Sequence, residues 1–134
     1  MQQLEAAGAW LGRLLLAALF LHEAWAKITA YGMAVSYAEA FGVPGWTIPF
    51  AIAVELVGGI MLLAGFYTRA AALVLALFCI ATAVLFHTKF GVRNELLHFE
   101  KDLAIAGGFL VLAAHGGGPW ALDAVLGRKA RWPF

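Results

Sequence analysis

Ionisable side chains interrupt the most apolar stretches of this sequence. Arg13, His22, Glu23 and Lys27 lie in the first stretch and Glu55 in the middle of the second. His87 closes the third, and His98, Lys101 and Asp102 open the fourth. In hydrocarbon each charged group costs at least about 2.5–3.5 kcal/mol, so such groups need partners, a water-filled pocket or a function. Carboxylates, cations and imidazoles together can bind a polar head group, relay protons or neutralise one another.

The spacing sorts these residues onto helix faces. Arg13 and Lys27 are fourteen positions apart and return to nearly the same face at about 100° per residue. Glu23 lies one turn before Lys27 and can pair with it, whereas His22 points elsewhere. In Glu55-Leu56-Val57-Gly58-Gly59 the glycines fall on the carboxylate's face, where small residues permit close approach of another helix. Glu55 is therefore expected to face the protein interior. The His87 face continues through Ala83, Ile80 and Ala76, and the Lys101 face through Gly108, Leu112 and His115.

The elements that must position these groups are membrane helices. The chain has 134 residues, 63% of them apolar and only 13% charged, with a mean hydropathy of +0.86. Soluble domains carry about a quarter charged residues. A helix crosses the hydrocarbon in about 20 residues, and four segments are candidates: 6–30, 46–64, 68–87 and one from 98 or 99 to the glycines at 116–118. The fourth has a short apolar part, which brings Lys101 and Asp102 into or near the membrane. None of the four alternates with period two, and all are rich in Ala and Leu, so strands are not expected.

The links add detail. Residues 31–45 suit a partly helical segment in the interface, held by Pro44 and Trp46. Gly65-Phe66-Tyr67-Thr68-Arg69 is a tight turn that makes its flanking helices neighbours. The tail 119–134 combines Trp120, Leu122, Leu126 and Trp132 with Arg128, Lys129 and Arg131, and reads as an amphipathic anchor over anionic lipid. The expected fold is an all-α, integral membrane, antiparallel four-helix bundle forming a single domain over 1–134.

Four crossings place both termini on one side, with Arg69, Arg128, Lys129 and Arg131, and with Arg13 nearby. Lys27, Lys89, Arg93 and Lys101 fall on the other side, a slim positive-inside majority for cytoplasmic termini. The run at 14–21 followed by Ala24-Trp25-Ala26 has some look of a secretory signal. Glu5, the lack of a preceding lysine and the charged His22-Glu23 favour a retained first helix. A net charge of +1 offers no basic field for nucleic acid. The one cysteine, Cys79, reads as a small buried hydrophobe.

Taken in order, several segments resemble the DoxX family of small bacterial membrane proteins. They are Arg13-Leu14-Leu15-Leu16 with Lys27, Val54-Glu55-Leu56-Val57-Gly58-Gly59, and Leu63-Ala64-Gly65-Phe66-Tyr67-Thr68-Arg69. Phe86-His87 follows, then His98-Phe99-Glu100-Lys101-Asp102-Leu103-Ala104 with Gly107-Gly108, and Gly118-Pro119 with Leu122-Asp123. Asp102 stands where relatives often have asparagine, and His22-Glu23 replaces a small or polar pair; both changes add charge. The resemblance implies a four-helix protein of the bacterial inner (cytoplasmic) membrane with cytoplasmic termini. Some relatives are subunits of quinone-linked oxidoreductases.

The functional expectation is a membrane redox component that binds quinone or quinol in the outer half of the bundle, alone or as an accessory subunit. Glu55 and Glu23 are the candidate catalytic, proton-handling carboxylates. His22, Lys27, His87, His98, Lys101 and Asp102 are the candidates for quinone binding or proton relay. Arg13 and Arg69 are assigned to structure or to lipid head groups. Two alternatives stand beside this reading. One is a metal or haem site using His22, Glu23, Glu55, His87 and His98. The other is a non-catalytic scaffold or anchor for a partner protein. The expected partners are the lipid bilayer and either a partner protein or further copies of the chain.

Overall fold

A computed structural model describes residues 1–88 and 93–127, with the side chain of Arg93 also outside the description. Every regular element among the described residues is a helix: α1 (Gln2–Thr29), α2 (Tyr31–Ala40), α3 (Thr47–Ala64), α4 (Thr68–Phe86), α5 (Arg93–His115) and the short α6 (Leu122–Val125). Of the basic residues and tryptophan expected to form the tail anchor, Arg128, Lys129, Arg131 and Trp132 lie outside the described residues, as does Lys89.

Three helices, α1, α3 and α4, are long and apolar enough to cross a membrane. The sequence suggested four. The exception is α5, whose length of 23 residues is sufficient but whose first half carries Glu95, Glu100, Lys101 and Asp102. Only the part after Asp102 is continuously apolar, shorter than the roughly 20 residues a crossing needs. The helix also starts at Arg93, about a turn and a half before the apolar signal begins. Glu95 in the first turn is favourable there, because it faces the positive end of the helix dipole.

The helices associate most extensively as the pairs α1–α3 and α4–α5, with α3 against α4 joining them. Along the first pair, Arg13 meets Leu62 and Leu63, Leu21 meets Gly59, and Lys27 meets Glu55, so α1 and α3 run in opposite directions. The core consists of Phe20, Leu62, Leu75, Phe109 and Leu112 set among alanines at 17, 71, 72, 76, 106 and 113, with Cys79 buried and free. Alanines let the axes approach closely, and the aromatic rings fill the space left: Phe20 and Phe109 meet edge-to-face at 5.3 Å. The glycines after Glu55 act similarly and receive leucine side chains, with the Leu21 backbone also close to Gly59. Gly58 faces Leu75 and Gly59 faces Leu21.

The turn between α3 and α4 is held from both sides. Gly65 ends α3 in the left-handed conformation at φ +74°, and the Phe66 N–H returns to the Met61 carbonyl. Arg13 is buried, and its Nη1 donates to the Leu62 and Leu63 carbonyls at 2.9 and 3.0 Å while Nη2 donates to Trp120 O at 3.1 Å. A cation thus meets the negative end of α3. Asp123 does the converse at the start of α4. Its carboxylate accepts from Tyr67 N–H (2.8 Å), Thr68 N–H (2.9 Å) and Thr68 Oγ1 (2.9 Å).

Candidate functional site

The other end of the molecule carries two polar groups of side chains. Lys27 on α1 places its ammonium between two carboxylates, donating to Glu55 Oε1 at 3.0 Å and to Glu23 Oε2 at 3.3 Å. The i,i+4 spacing brings Glu23 to Lys27, and the opposite running of α3 brings Glu55 to the same point. Their surroundings differ: the Glu55 side chain is 4% exposed and that of Glu23 is 49% exposed. Glu55 Oε2 is buried with no hydrogen-bond partner. A buried acceptor without a donor is costly, which makes this oxygen the natural receiver of an incoming N–H or O–H.

The second group lies between α4 and α5. His87, the C-cap of α4, shares a hydrogen bond through Nδ1 with Glu95 Oε2 at 3.1 Å, and its Nε2 stands 3.8 Å from Asp102 Oδ2. Glu95 and Asp102 are seven positions apart on α5, so two helical turns return both to the face that meets His87. The ring of His98 lies 5.1 Å from that of His87, tilted by 30°.

The two groups share one electrostatic environment. Asp102 is within Coulombic reach of Glu23 as well as of His87 and His98, and the core residue Cys79 is in reach of both Asp102 and Glu55. Above α4, the α2 segment contributes an aromatic cluster. Tyr37 stacks on Phe86 at 5.7 Å, and Phe41 completes the triangle at 4.9 and 5.6 Å. Partial burial pushes the Tyr37 phenol above its ordinary pKa, and the negative charges of Glu95 and Asp102 add to the effect.

Of the residues singled out from sequence, Glu23, Lys27 and Glu55 come together in one group, and His87, His98 and Asp102 in the other. His22 and Lys101 are exposed and stand apart from these bonded groups, because their positions on α1 and α5 face away from the neighbouring helices. Arg13 and Arg69 lie at the opposite end. Among the described residues no three His, Cys, Asp or Glu side chains converge as metal ligands do. The two nitrogens of His87 face Glu95 and Asp102, and the His98 ring lies beside that of His87. Sequence reasoning missed Glu95 and Tyr37. Glu95 precedes the apolar run, and Tyr37 belongs to a segment without an ionisable pattern; a helix started at Arg93 would have exposed the Glu95–Asp102 spacing.

This arrangement of apolar helices with a charged end belongs to a known class. The chain is a member of the DoxX family, whose sequence profile matches residues 8–88. It is 43% identical over 129 residues to the inner membrane protein YqjF of Escherichia coli K12, covering 96% of this chain and 99% of that protein. It is 30% identical over 120 residues to the inner membrane protein YphA of the same organism, covering 84% and 86%. No solved structure matches it.

Proposed function

We propose that the chain is a bacterial inner-membrane component of a redox system that binds a quinone or quinol head group at the Lys27–Glu55 and His87–Asp102 end. In this reading α1, α3, α4 and α5 all cross the bilayer as an antiparallel bundle. Both termini lie in the cytoplasm, and the polar end faces the periplasmic side. The names of YqjF and YphA support the location. Pairing with α4 supports the crossing of α5, since it sets Glu95 and Asp102 against His87 and away from lipid.

The observation that carries the functional reading is the unpartnered Glu55 Oε2 beside the Lys27 ammonium, at the polar end of an otherwise apolar helix assembly. Quinone carbonyl oxygens accept hydrogen bonds, and Lys27, His98 and Tyr37 can donate them. Reduction adds two electrons and two protons. Glu55 and Glu23 are placed to hand over protons, while the electrons come from a partner. Titration of purified protein with a short-chain ubiquinone, followed by fluorescence of its five tryptophans, tests the reading. A saturable signal weakened in Glu55→Gln is expected, and no saturable signal in the wild type would overturn it.

A second reading is a non-catalytic anchor for a partner protein. It is favoured by the charge compensation already present within each group, as in the Lys27 ion pairs. Recovery of a stoichiometric partner from native membranes, with no quinone response by the isolated chain, distinguishes it.

A further inference from the structure

Arg69 lies at the start of α4, eighteen residues before His87, so about 27 Å of helix separates it from the polar end. There a cavity of about 460 Å³ opens between α4 and α5, lined by Arg69, Leu73, Leu110, Ala113 and Ala114. The volume suits a ligand-sized occupant. Four of its five lining residues are apolar, and Leu110 is 48% exposed, so the cavity opens on the face of the molecule that meets lipid tails.

Its polar feature is the guanidinium. Arg69 Nη1 donates to the Ala113 and Ala114 carbonyls at 3.3 and 2.6 Å, which fixes the group across the last turn of α5. Both bonds use the same nitrogen. Among the described residues no carboxylate lies within ion-pair distance of Arg69. The positive end of the α4 dipole adds to its charge, and the last carbonyls of α5 offset part of it. Trp10 and Trp120 pack edge-to-face at 6.3 Å at this end, the type of aromatic pair that marks the head-group level of a bilayer. A fixed cation at that level with no carboxylate partner, bordering an apolar groove, complements an anion that carries a hydrocarbon chain.

We propose that this groove is a binding site for an anionic phospholipid, with the phosphate on Arg69 and an acyl chain along Leu73 and Leu110. The free guanidinium N–H groups face the phosphate oxygens, and the apolar walls distinguish a lipid from a free anion. A zwitterionic lipid fills the groove equally well but lacks the net charge. The site is independent of the quinone reading, because no residue is shared between the two ends.

The test is native mass spectrometry of the full-length, delipidated protein in detergent, titrated separately with dioleoylphosphatidylglycerol and dioleoylphosphatidylcholine. The wild type is expected to hold phosphatidylglycerol more tightly. Arg69→Gln weakens that lipid by about tenfold, as loss of a charge-assisted contact predicts, and weakens phosphatidylcholine less, because its choline offsets the phosphate charge. Ala114→Phe keeps the cation but fills the exposed side of the groove, and is expected to weaken both lipids; it decides the matter if Arg69→Gln does not fold. Equal affinity for the two lipids in the wild type would overturn the proposal. So would unchanged phosphatidylglycerol binding in either variant, displacement of the lipid by excess inorganic phosphate, or a dimer in place of the lipid adduct.

Discussion

Lys27 is the pivot of the polar end, and replacing it gives a quantitative test of the arrangement. Lys27→Met keeps the aliphatic stem but leaves the Glu55 carboxylate, 4% exposed, without the ammonium 3.0 Å away. Breaking a fully buried pair costs about 3–5 kcal/mol. The Lys27 side chain is 23% exposed, so screening reduces the expected loss to about 2–3 kcal/mol. The bond to the half-exposed Glu23 adds only about 0.3–0.5 kcal/mol. Glu55→Gln removes the charge while preserving shape, at a cost of about 1 kcal/mol. The double variant no longer strands a buried charge, so it is expected to lose no more than Lys27→Met alone, a coupling of at least about 1 kcal/mol. Reversible unfolding in mixed micelles, read by circular dichroism and tryptophan fluorescence, measures each corner of the cycle. Lys27→Met with Glu23→Gln is the internal control and is expected to be nearly additive. Additivity of Lys27 and Glu55 within about 0.5 kcal/mol would show that the buried pair does not join α1 to α3.

Three further outcomes are expected. Asp123→Ala strips the α4 N-terminus of its carboxylate and is expected to cost about 1–2 kcal/mol in the same unfolding assay; wild-type stability would remove the capping role. In a protein with Tyr31→Phe and Tyr67→Phe, ultraviolet titration is expected to place the Tyr37 phenol above its ordinary pKa. Glu95→Gln should move it downward by removing a negative charge that opposes ionisation, and an unchanged midpoint would separate Glu95 from α2. In a Cys79→Ser background, Asn94→Cys should react with a membrane-impermeant maleimide on intact cells while Gln2→Cys does not. The reverse labelling would invert the proposed orientation.

Much of the positioning was legible before any tertiary information. The i,i+4 spacing of Glu23 and Lys27, the interior direction of Glu55 beside Gly58 and Gly59, and the return of Arg13 and Lys27 to one helix face all follow from helical period. The tight turn at Gly65 is readable because a left-handed residue after an apolar helix favours glycine. The role of Arg13 was not readable. An arginine near a helix end reaches head groups as readily as it reaches backbone, and only the packing of α1 against α3 delivers it to the orphan carbonyls of Leu62 and Leu63.

The sequence by itself determined that the chain is helical, membrane-embedded and charged at particular positions along its helices, because those properties depend on composition and period along a single helix. The tertiary structure decided which charges meet. It brought Lys27 to Glu55 across 28 residues, set Glu95 and Asp102 on either side of His87, and left His22 and Lys101 outside these groups. Such encounters depend on the relative rotation and register of separate helices, which no local pattern encodes. The same rotation opens the groove beside Arg69 between α4 and α5.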